Sequence, residues 1–261
     1  MKAMVFAAGL GTRLRPLTDD RPKALVELNG RTLLEITLAR LRTFGITEVV
    51  INAHHFSDKL VAYLNAHDSF GMKIDVSREN VLLDTGGGLQ KAAHFFLSEP
   101  RNRDEPILIH NVDVVSTIDF ARMEQAHRAD DALATLAVQK RETSRYLVFD
   151  EERQLCGRLI GSDSTAEIVH PSRHAESLAF SGIHIVSPRL LTMLTEKGIF
   201  SIINSYLRLA GRGEKIRAFR ADEYSWRDVG RREDLEQAAQ DLQKDDSLKD
   251  NLQRDNRKKR V

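Results

Sequence analysis

The segment best equipped for chemistry lies near the start of the chain, in FAAGLGTRLRPLTDDRPKAL, residues 6–25. Gly9 and Gly11 let backbone N–H groups approach an anion closely, because neither residue carries a side chain. Arg13 and Lys23 add positive charge, the first as a planar fork and the second as a point charge. The alternative is a glycine turn with solvated basic residues. The composition favours a loop that holds phosphate groups against the backbone.

Two familiar phosphate-binding motifs do not fit this loop. A P-loop requires a lysine followed by Ser or Thr directly after its last glycine, whereas Gly11 is followed by Thr12 and Arg13. A dinucleotide fingerprint requires a third glycine three positions further on, where this chain has Leu14. Pro16 would also break a helix that began there. The remaining interpretation is a longer phosphate loop of another kind.

Two aspartates are candidates for holding a metal ion. Asp113 follows the apolar run PILIHNV, at the strand end where open α/β sheets bind their ligands. Asp228 follows Trp226 in WRDVG, again just beyond a short strand. Each aspartate taken alone also fits a helix N-cap or a turn, although Asp119, before FARMEQAH, is a better N-cap than Asp113. The residue pattern therefore leaves both the metal role and the turn role open.

Alternating strand and helix patterns in the first half of the chain must position these groups. Leu34, Leu38 and Leu41 have the spacing of one helix face, and Gly45 stands where such a helix ends. Strands are predicted at 3–8, 48–53, 72–76 and 106–115. Further helices are predicted at 57–67, at 85–96, where a glycine turn opens the helix, and from about 119 to 128. This order predicts a Rossmann-like, three-layer α/β/α fold with a mostly parallel mixed sheet.

The second half of the chain is richer in strand patterns. Strands are predicted at 132–138, 145–150, 154–161, 177–187 and 215–219, and helices at 188–196 and 201–210. The stretch DEERQ predicts a hairpin turn between the second and third of these strands. Because no break in composition marks a boundary, residues 1–240 are predicted to form one domain. The charged residues 241–261 are predicted to form a frayed or disordered tail.

Bulk composition excludes several functional classes. The 261 residues are 41% hydrophobic and 30% charged, as in ordinary soluble globular proteins. A net charge of +1 gives no basis for a nucleic-acid surface, and no apolar stretch approaches the ~20 residues that cross a bilayer. The apolar start is interpreted as a buried strand rather than a signal peptide. The single cysteine, Cys156, fits a reducing cytoplasm. We expect a cytoplasmic monomer or small homo-oligomer without nucleic-acid or membrane partners.

The motifs together resemble a known family. AAGLGTRLRPLTDDRPKAL resembles the G-x-G-T-R-L-x-P-L-T…P-K signature of sugar-1-phosphate nucleotidyltransferases, and TGGGL, HNVDV, FSGIHIVS and WRDVG extend the resemblance over residues 1 to about 240. The resemblance implies transfer of a nucleotidyl group from an NTP to a sugar 1-phosphate, with pyrophosphate leaving.

The resemblance also implies roles for individual residues. Arg13 and Lys23 would contact the nucleotide phosphates as catalytic residues, and Asp113 and Asp228 would hold a catalytic Mg²⁺. Further nucleotide-binding residues implied in this way are Ala8, Gly9, Gly11, Thr12 and Asn111. The metal and the two anionic substrates are thus the expected cofactor and partners.

The string LLDTGGGL resembles the family's nucleobase loop, in which backbone groups of small residues read the base. The resemblance implies nucleotide-binding roles for Thr85, Gly86 and Gly87, and Thr85 is also a candidate cap for the helix that follows. The acidic Asp84 before T-G-G-G is similar to N-acetylmuramate-1-phosphate uridylyltransferases, whereas several guanylyltransferases carry a G-T-A-G-like string. UTP is therefore the expected nucleotide. GTP with mannose 1-phosphate, cytidylyl transfer and a catalytically silent sugar-nucleotide-binding regulatory subunit stay open as alternatives.

The sugar side is less well defined. FSGIHIVS resembles the family's sugar-side strand, which implies that the backbone of Gly182 contacts the sugar. Asn204 stands where relatives often have Asp, and its role is either packing or sugar contact. The family's usual E-K-P string is absent, so the lysine for the sugar phosphate is missing. Lys140, Arg141 and Arg145 are the candidate replacements.

Four further residues have competing interpretations. Glu79 precedes the base loop and either binds the nucleotide at its base or ribose or is an exposed charge. His54 and His55 follow a strand without other evident metal ligands, which favours a structural or site-lining role. Cys156 is interpreted as a small core residue.

Overall fold

The structure of the protein is a computed structural model that describes residues 1–98, 104–161 and 165–244. Its strands β1 to β14 are Lys2–Phe6, Glu27–Leu28, Arg31–Thr32, Glu48–Ala53, Lys73–Arg78, Ile107–Asn111, Val114–Ser116, Ala134–Gln139, Arg145–Asp150, Leu155–Ile160, Thr165–Ile168, Ala175–Val186, Ile216–Arg220 and Trp226–Asp228. Its helices α1 to α7 are Leu33–Thr43, Ser57–Ala66, Asp84–Leu97, Phe120–Ala129, Arg189–Met193, Ile202–Ala210 and Arg232–Lys244. Short 3-10 turns lie at Thr12–Leu14, Lys23–Leu25 and Asp68–Gly71. Among the helices of the described ranges, none combines the length and apolarity needed to cross a membrane.

The described residues form two compact units that alternate along the chain. The N-terminal unit contains Lys2–Leu82, Asn111–Thr117 and the described residues from Ser225 onward, and the central unit contains Leu83–His110 and Ile118–Tyr224 together with Met1. The assignment of residues 1–240 to one domain stays a prediction. Of the predicted tail, α7 continues to Lys244 and residues 245–261 lie outside the described residues.

The N-terminal unit is built on three parallel strands. β1 pairs with β4 and β4 pairs with β5, so that Val5 lies beside Ile51 and Ile51 beside Val76. α1 begins after Thr32, whose side chain accepts a hydrogen bond from the Glu35 N–H at 3.1 Å. The predicted leucine face of α1 is fully buried. Buried strands joined by an amphipathic helix are the expected α/β arrangement.

The central unit is organised around the long strand β12. β12 runs antiparallel to β6, β8 and β9, and β13 adds to β8 in parallel. The predicted hairpin of β9 and β10 is confirmed, and β11 extends it at the edge. The register of β12 against β8 shifts between Phe180 and His184, where Gly182 has a φ of 71°. This bulge requires glycine, since an L side chain rarely adopts that conformation. The predicted α/β class with a mixed sheet is confirmed.

The prediction of a single strand at 106–115 is wrong, because two strands, β6 and β7, occupy this stretch. β6 ends at Asn111, and the Val112 N–H donates to the Phe6 carbonyl at 3.1 Å. β7 then pairs with β14, a three-residue strand that the sequence analysis left unassigned. β6 pairs with β12, whereas β7 pairs with β14. Because the two strands pair with different partners, the extended structure is interrupted between them. The interruption leaves Asp113 in the gap between them.

Candidate active site

The glycine-rich loop is held in shape by its own hydrogen bonds. The Gly11 carbonyl accepts from the Leu14 N–H and from the Thr18 hydroxyl, both at 2.9 Å. Leu14 is fully buried and anchors the loop to the core. Gly11 has a φ of 65°, and a Cβ there would lie 2.9 Å from the Thr18 methyl group. Glycine is therefore required at this position by the fold of the loop itself.

The loop contains backbone N–H groups that donate no hydrogen bond within the described protein. Within residues 1–98, 104–161 and 165–244, the backbone N–H groups of residues 9–13 donate to no protein acceptor, and Gly9, Thr12 and Arg13 are exposed, whereas Ala8 is buried. Successive free N–H groups beside positive side chains are the usual components of an anion-binding loop. The geometry fits the phosphate-binding role predicted for this segment.

Lys23 is positioned by the turn that it begins. Pro22 precedes the Lys23–Leu25 turn, and Ala24 and Leu25 are buried in the core. The lysine is only 8% exposed, which is unusual for this residue type unless it is paired. Its ammonium group forms an ion pair with Asp113 Oδ2. Two residues predicted to act together are thus in direct contact.

The two aspartates are brought together by the small sheet of β7 and β14. In its antiparallel register Asp228 faces Val114, and the Val229 N–H donates to the Asp113 carbonyl at 2.8 Å. Two residues far apart in the sequence therefore become neighbours through a few backbone hydrogen bonds. The predicted convergence of Asp113 and Asp228 is present in the structure.

The electrostatics of this pair follow from their proximity. Burial raises the pKa of Asp228, and the negative charge of Asp113 raises it further. The Gly230 N–H, which donates to Asp228 Oδ1 at 2.7 Å, and the charges of Lys23 and Arg13 act in the opposite direction. Two adjacent carboxylates that repel each other are a donor set suited to a divalent cation.

Gly230 is a residue that the sequence analysis missed. A Cβ built on it would lie 2.6 Å from Asp228 Oδ1, 2.7 Å from Arg13 Nη2 and 3.2 Å from Lys23 Nζ. The functional ends of three predicted site residues therefore converge on the space above its α-carbon. Its position two residues after Asp228 in WRDVG was the available signal.

The N-terminal unit also contains a buried pair of polar side chains, Asn52 and Glu79. Asn52 is buried, accepts from the Ala7 N–H at 2.7 Å and donates to Glu79 Oε1 at 2.8 Å. Glu79 is 4% exposed, so the interpretation as an exposed charge is wrong. Its carbonyl lies 2.8 Å from His54 Nδ1. Asn52 thus joins Ala7, the first residue after β1, to the buried carboxylate of Glu79.

The base-loop glycines lie in the central unit and pack tightly there. A Cβ on Gly86 would lie 2.3 Å from the Phe200 ring, and one on Gly87 would lie 2.5 Å from the Gly198 carbonyl. Both N–H groups donate to the Phe200 carbonyl, at 2.9 and 3.3 Å. Packing against residues 198–200 is thus sufficient to require glycine at both positions. The N–H groups of Gly86 and Gly87 have an acceptor within the protein, the Phe200 carbonyl.

The helix predicted at 85–96, opened by a glycine turn, is confirmed as α3, which begins at Asp84 and has the glycines in its first turn. The predicted cap of this helix is wrong. Thr85 does not cap its own helix, because its hydroxyl accepts from the Ile202 N–H at 3.0 Å, at the start of α6. A tertiary contact, which local sequence does not reveal, uses the hydroxyl instead.

The predicted sugar-side residues also lie in the central unit. Gly182 is in the bulge of β12, and the Arg141 guanidinium donates to the Phe180 carbonyl at 2.8 Å, two residues away. Asn204 is exposed on α6, and its Oδ1 accepts from Arg158 at 2.9 Å. Lys140 and Arg145 are exposed and lie just after β8 and at the start of β9, respectively. Of the three candidate replacements for the missing lysine, Arg141 is the one attached to the bulge region.

The remaining predictions concern individual residues. Asp119 caps α4 by accepting from the Ala121 and Arg122 N–H groups, as expected. Cys156 is buried in β10, as expected of a core residue, and burial raises the pKa of its thiol. Within the described parts of the chain no group of three or more His, Cys, Asp and Glu side chains surrounds a metal position, and the structural or site-lining role of His54 and His55 stays a prediction. Asn111 is half-buried at the end of β6.

Parallel strands joined by helices define an α/β protein, and free backbone N–H groups beside paired carboxylates are suited to phosphate groups and a divalent cation. Residues 2–245 match the nucleotidyl transferase family, and the chain belongs to this family. The expectation of a sugar-1-phosphate nucleotidyltransferase is confirmed at this level by the relatives described next.

Two relatives align with most of the chain. The N-acetylmuramate alpha-1-phosphate uridylyltransferase of Caulobacter vibrioides is 33% identical over 239 residues, which span 87% of this chain and 91% of that protein. The mannose-1-phosphate guanyltransferase of Yarrowia lipolytica is 26% identical over 241 residues, 90% of this chain and 62% of that protein. The chain therefore spans nearly the full length of the first relative and less than two thirds of the second.

Solved structures share the fold. A putative glucose-1-phosphate thymidylyltransferase from Bacillus anthracis, in complex with a sucrose, has a TM-score of 0.73 at 18% identity and aligns over 92% of this chain and 94% of its own. HddC from Yersinia pseudotuberculosis, complexed with GMP-PN, has a TM-score of 0.71 at 19% identity over 92% and 99% of the two chains. At these identities the likeness establishes the fold alone.

Proposed function

We propose that the protein transfers the uridylyl group of UTP to N-acetylmuramate 1-phosphate or a similar sugar 1-phosphate, in a Mg²⁺-dependent reaction that releases pyrophosphate. The observation that carries this proposal is the convergence of Arg13, Lys23, Asp113 and Asp228 in the N-terminal unit. Two cations and two carboxylates in one cluster suit a reaction whose substrates and leaving group are all anionic.

The proposed reaction is an in-line displacement. An oxygen of the sugar phosphate attacks the α-phosphorus of the NTP, a new P–O bond forms, and the bond to the β-phosphate oxygen breaks as pyrophosphate leaves. The free N–H groups of residues 9–13 bind the phosphate oxygens, and Arg13 and Lys23 stabilise the charge that develops on the leaving group. The chain supplies alignment and charge compensation rather than a covalent nucleophile.

The cluster fits the expected metal ion. Asp113 and Asp228 repel each other, and carboxylate oxygens supplemented by substrate phosphates are the ligands that Mg²⁺ prefers. When bound, Mg²⁺ would neutralise phosphate charge and orient the phosphates for displacement. Asp113 would have to exchange part of its contact with Lys23 for the metal, which frees the lysine to face a phosphate.

The choice of UTP is supported by sequence similarity and by the base-loop string. The Caulobacter uridylyltransferase is 33% identical and matches nearly end to end. The acid-T-G-G-G string at 84–88 favours the same group. Because the Gly86 and Gly87 N–H groups already bind the Phe200 carbonyl, we assign recognition of the base to other groups, with the buried Glu79 carboxylate as first candidate.

A second candidate is GTP with mannose 1-phosphate. The mannose-1-phosphate guanyltransferases of Yarrowia lipolytica and other organisms match the chain over most of its length, at lower identity. Whichever base is used, we propose that the Gly182 backbone contacts the sugar and that Arg141 supplies the charge of the missing lysine. The Asn204 side chain, occupied by Arg158, is a weaker candidate for sugar contact.

The proposed setting is the cytoplasm, where thiols stay reduced, in agreement with the single buried cysteine. We propose a monomer or small homo-oligomer that acts on soluble substrates and needs neither nucleic acid nor membrane.

Pyrophosphate release tests the proposal directly. The purified chain with Mg²⁺ is incubated with each of UTP, GTP, CTP and dTTP against N-acetylmuramate 1-phosphate, mannose 1-phosphate and glucose 1-phosphate. We expect the highest kcat/KM for UTP with N-acetylmuramate 1-phosphate. A clear preference for GTP with mannose 1-phosphate would favour the second candidate. Tight binding of a sugar nucleotide without release in any combination would favour a regulatory subunit.

A further inference from the structure

Gly230 occupies an unusual position among the charged groups of the N-terminal unit. It is buried, and its N–H donates to Asp228 Oδ1 at 2.7 Å. Its missing Cβ would fall 2.6 Å from that same oxygen, 2.7 Å from Arg13 Nη2 and 3.2 Å from Lys23 Nζ. Real Cβ atoms essentially never approach other atoms within 3.0 Å, so the carboxylate and the guanidinium occupy space that any other residue would fill.

The three atoms nearest to this missing Cβ are terminal atoms of side chains. They belong to Asp228, Arg13 and Lys23, and no backbone atom is among them. The backbone of Gly230 is not in the left-handed region, since it is absent from the glycines with positive φ. Alanine is therefore compatible with the backbone, and the added methyl group can be accommodated by movement of the three side-chain ends.

We propose that Gly230 is a positioning residue for nucleotidyl transfer, an inference that rests on the proposed function. The absence of a side chain lets the Arg13 guanidinium and the Lys23 ammonium group approach the Asp228 carboxylate, while the Gly230 N–H fixes one oxygen of that carboxylate. Gly230 thus sets the positions of both the two cations that face the phosphates and the carboxylate that faces the metal. Gly230 itself touches no reacting atom.

The inference predicts a separation of activity from stability in Gly230→Ala. The methyl group must displace Asp228 Oδ1 and Arg13 Nη2 by several tenths of an ångström, and misplacement of catalytic groups on the ångström scale costs about 10²-fold in rate. We expect kcat to fall about 10- to 100-fold, while the thermal midpoint changes by less than about 2 °C. A merely structural glycine would lose stability first and activity in proportion.

The matched control is Gly211→Ala. Gly211 likewise lies outside the left-handed region, at φ −64° and ψ −14°, and the nearest atoms to its Cβ would lie at ordinary contact distances of 3.4–3.5 Å. It lies at the end of α6, and none of the proposed site contacts involves it. We expect this variant to match the wild type in rate and binding, with a thermal midpoint that is unchanged or raised by about 1–3 °C, because alanine restricts the unfolded chain.

A double-mutant cycle identifies the group that moves. If alanine at position 230 acts partly by displacing Arg13, its cost in kcat must shrink at least several-fold in an Arg13→Ala background, because the displaced guanidinium is already gone. An equal cost in both backgrounds would contradict the proposed role of Gly230 in positioning Arg13.

Binding of inorganic pyrophosphate, measured by calorimetry without metal, keeps this test independent of turnover. We expect Gly230→Ala to weaken pyrophosphate binding about 10-fold and Gly211→Ala to leave it unchanged. Absent turnover in the wild type would refute the proposed function, and the binding series would still decide the role of Gly230. Unfolding of Gly230→Ala, or unchanged kcat and pyrophosphate affinity, would overturn the inference.

Discussion

At the scale of single residues, the cluster joins opposite charges with a pair of like charges. Lys23 neutralises Asp113 by direct contact, whereas Asp228 has its pKa raised by burial and by the Asp113 charge. A carboxylate with a raised pKa is one whose ionised form the folded protein disfavours. Such a residue is retained at a cost in stability, which is a common property of functional sites.

Asp228→Asn tests this trade-off. Asparagine keeps an oxygen that can accept the Gly230 N–H but removes the charge that Asp113 repels. We expect the thermal midpoint without metal at pH 7.5 to rise by about 2 °C, while pyrophosphate release falls about 10²- to 10³-fold. The measurements are thermal unfolding and steady-state kinetics.

The control is Asp119→Asn, because Asp119 caps α4 outside the cluster and asparagine is an equally good cap. This control should leave the rate and the thermal midpoint unchanged. A near-normal rate in Asp228→Asn would contradict a metal-holding role for Asp228.

Sequence alone predicted the members of the cluster and the convergence of its two aspartates, but not the individual contacts within it. Arg13, Lys23, Asp113 and Asp228 were identified from the loop composition and family motifs, and the structure brings all four together. The contact of Lys23 with Asp113 and the convergence on Gly230 depend on long-range geometry. Residue spacing carries no information about such contacts.

At the scale of elements, short segments perform the positioning. The three-residue strands β7 and β14 align the two aspartates, and the bulge in β12 sets the conformation of Gly182. These segments were missed because two or three residues carry too little periodicity to identify. Longer elements were predicted closely, and β4 and β9 have the predicted bounds. Their β-branched and aromatic runs decide the structure locally.

The start of α3 shows how tertiary packing overrides a local pattern. The predicted glycine turn opens the helix, and Gly86 and Gly87 lie in its first turn with the segment at 198–200 packed directly against them. The Phe200 carbonyl accepts both of their N–H groups, and the Thr85 hydroxyl accepts from α6. These contacts replace the local cap that sequence reasoning expects.

Gly86→Ala tests the packing explanation. The added Cβ would lie 2.3 Å from the Phe200 ring and 2.9 Å from the Phe200 carbonyl oxygen, so backbone must move. We expect the free energy of unfolding to fall by about 1–3 kcal/mol, as in other overpacked cores. Urea denaturation measures the change, with Gly211→Ala as the control that should lose no stability. An unchanged midpoint would show that close packing is not the reason for glycine at position 86.

At the scale of the whole molecule, buried histidines of the central unit link stability to pH. Burial lowers the pKa of His127 to about 4 and that of His184 to about 3. The Ser187 hydroxyl donates to the Ala132 carbonyl at 2.7 Å, so it accepts from His127 Nε2–H, and His127 Nδ1 accepts from the Thr135 hydroxyl. This network holds the neutral imidazole of His127.

Acid should therefore destabilise the protein in a defined range of pH. An unfolded histidine binds its proton near pH 6.5, while folded His127 resists protonation until about pH 4. The contribution of the neutral, buried histidine to the free energy of unfolding is fully present above pH 6.5 and is lost as the pH falls towards 4. The loss is up to about 1.4 kcal/mol per pH unit for each such histidine. The free energy of unfolding is measured by urea denaturation between pH 7.5 and 4.5.

His127→Gln isolates this contribution. We expect the variant to lose less stability than the wild type over the same pH range, because one of the linked protons is gone. Substitution of the exposed His94 by Gln serves as control and should retain the wild-type slope. Equal slopes for the wild type and His127→Gln would contradict the assignment of a buried neutral imidazole.

The central claim is that Asp113 and Asp228 hold one divalent cation beside the nucleotide loop. A crystal grown with UTP and Mn²⁺ but without sugar phosphate, and measured at the manganese absorption edge, tests it most directly. We predict an anomalous peak in contact with carboxylate oxygens of both aspartates and with a phosphate oxygen of UTP. A peak bound to neither aspartate, with UTP present in the crystal, would contradict the claim.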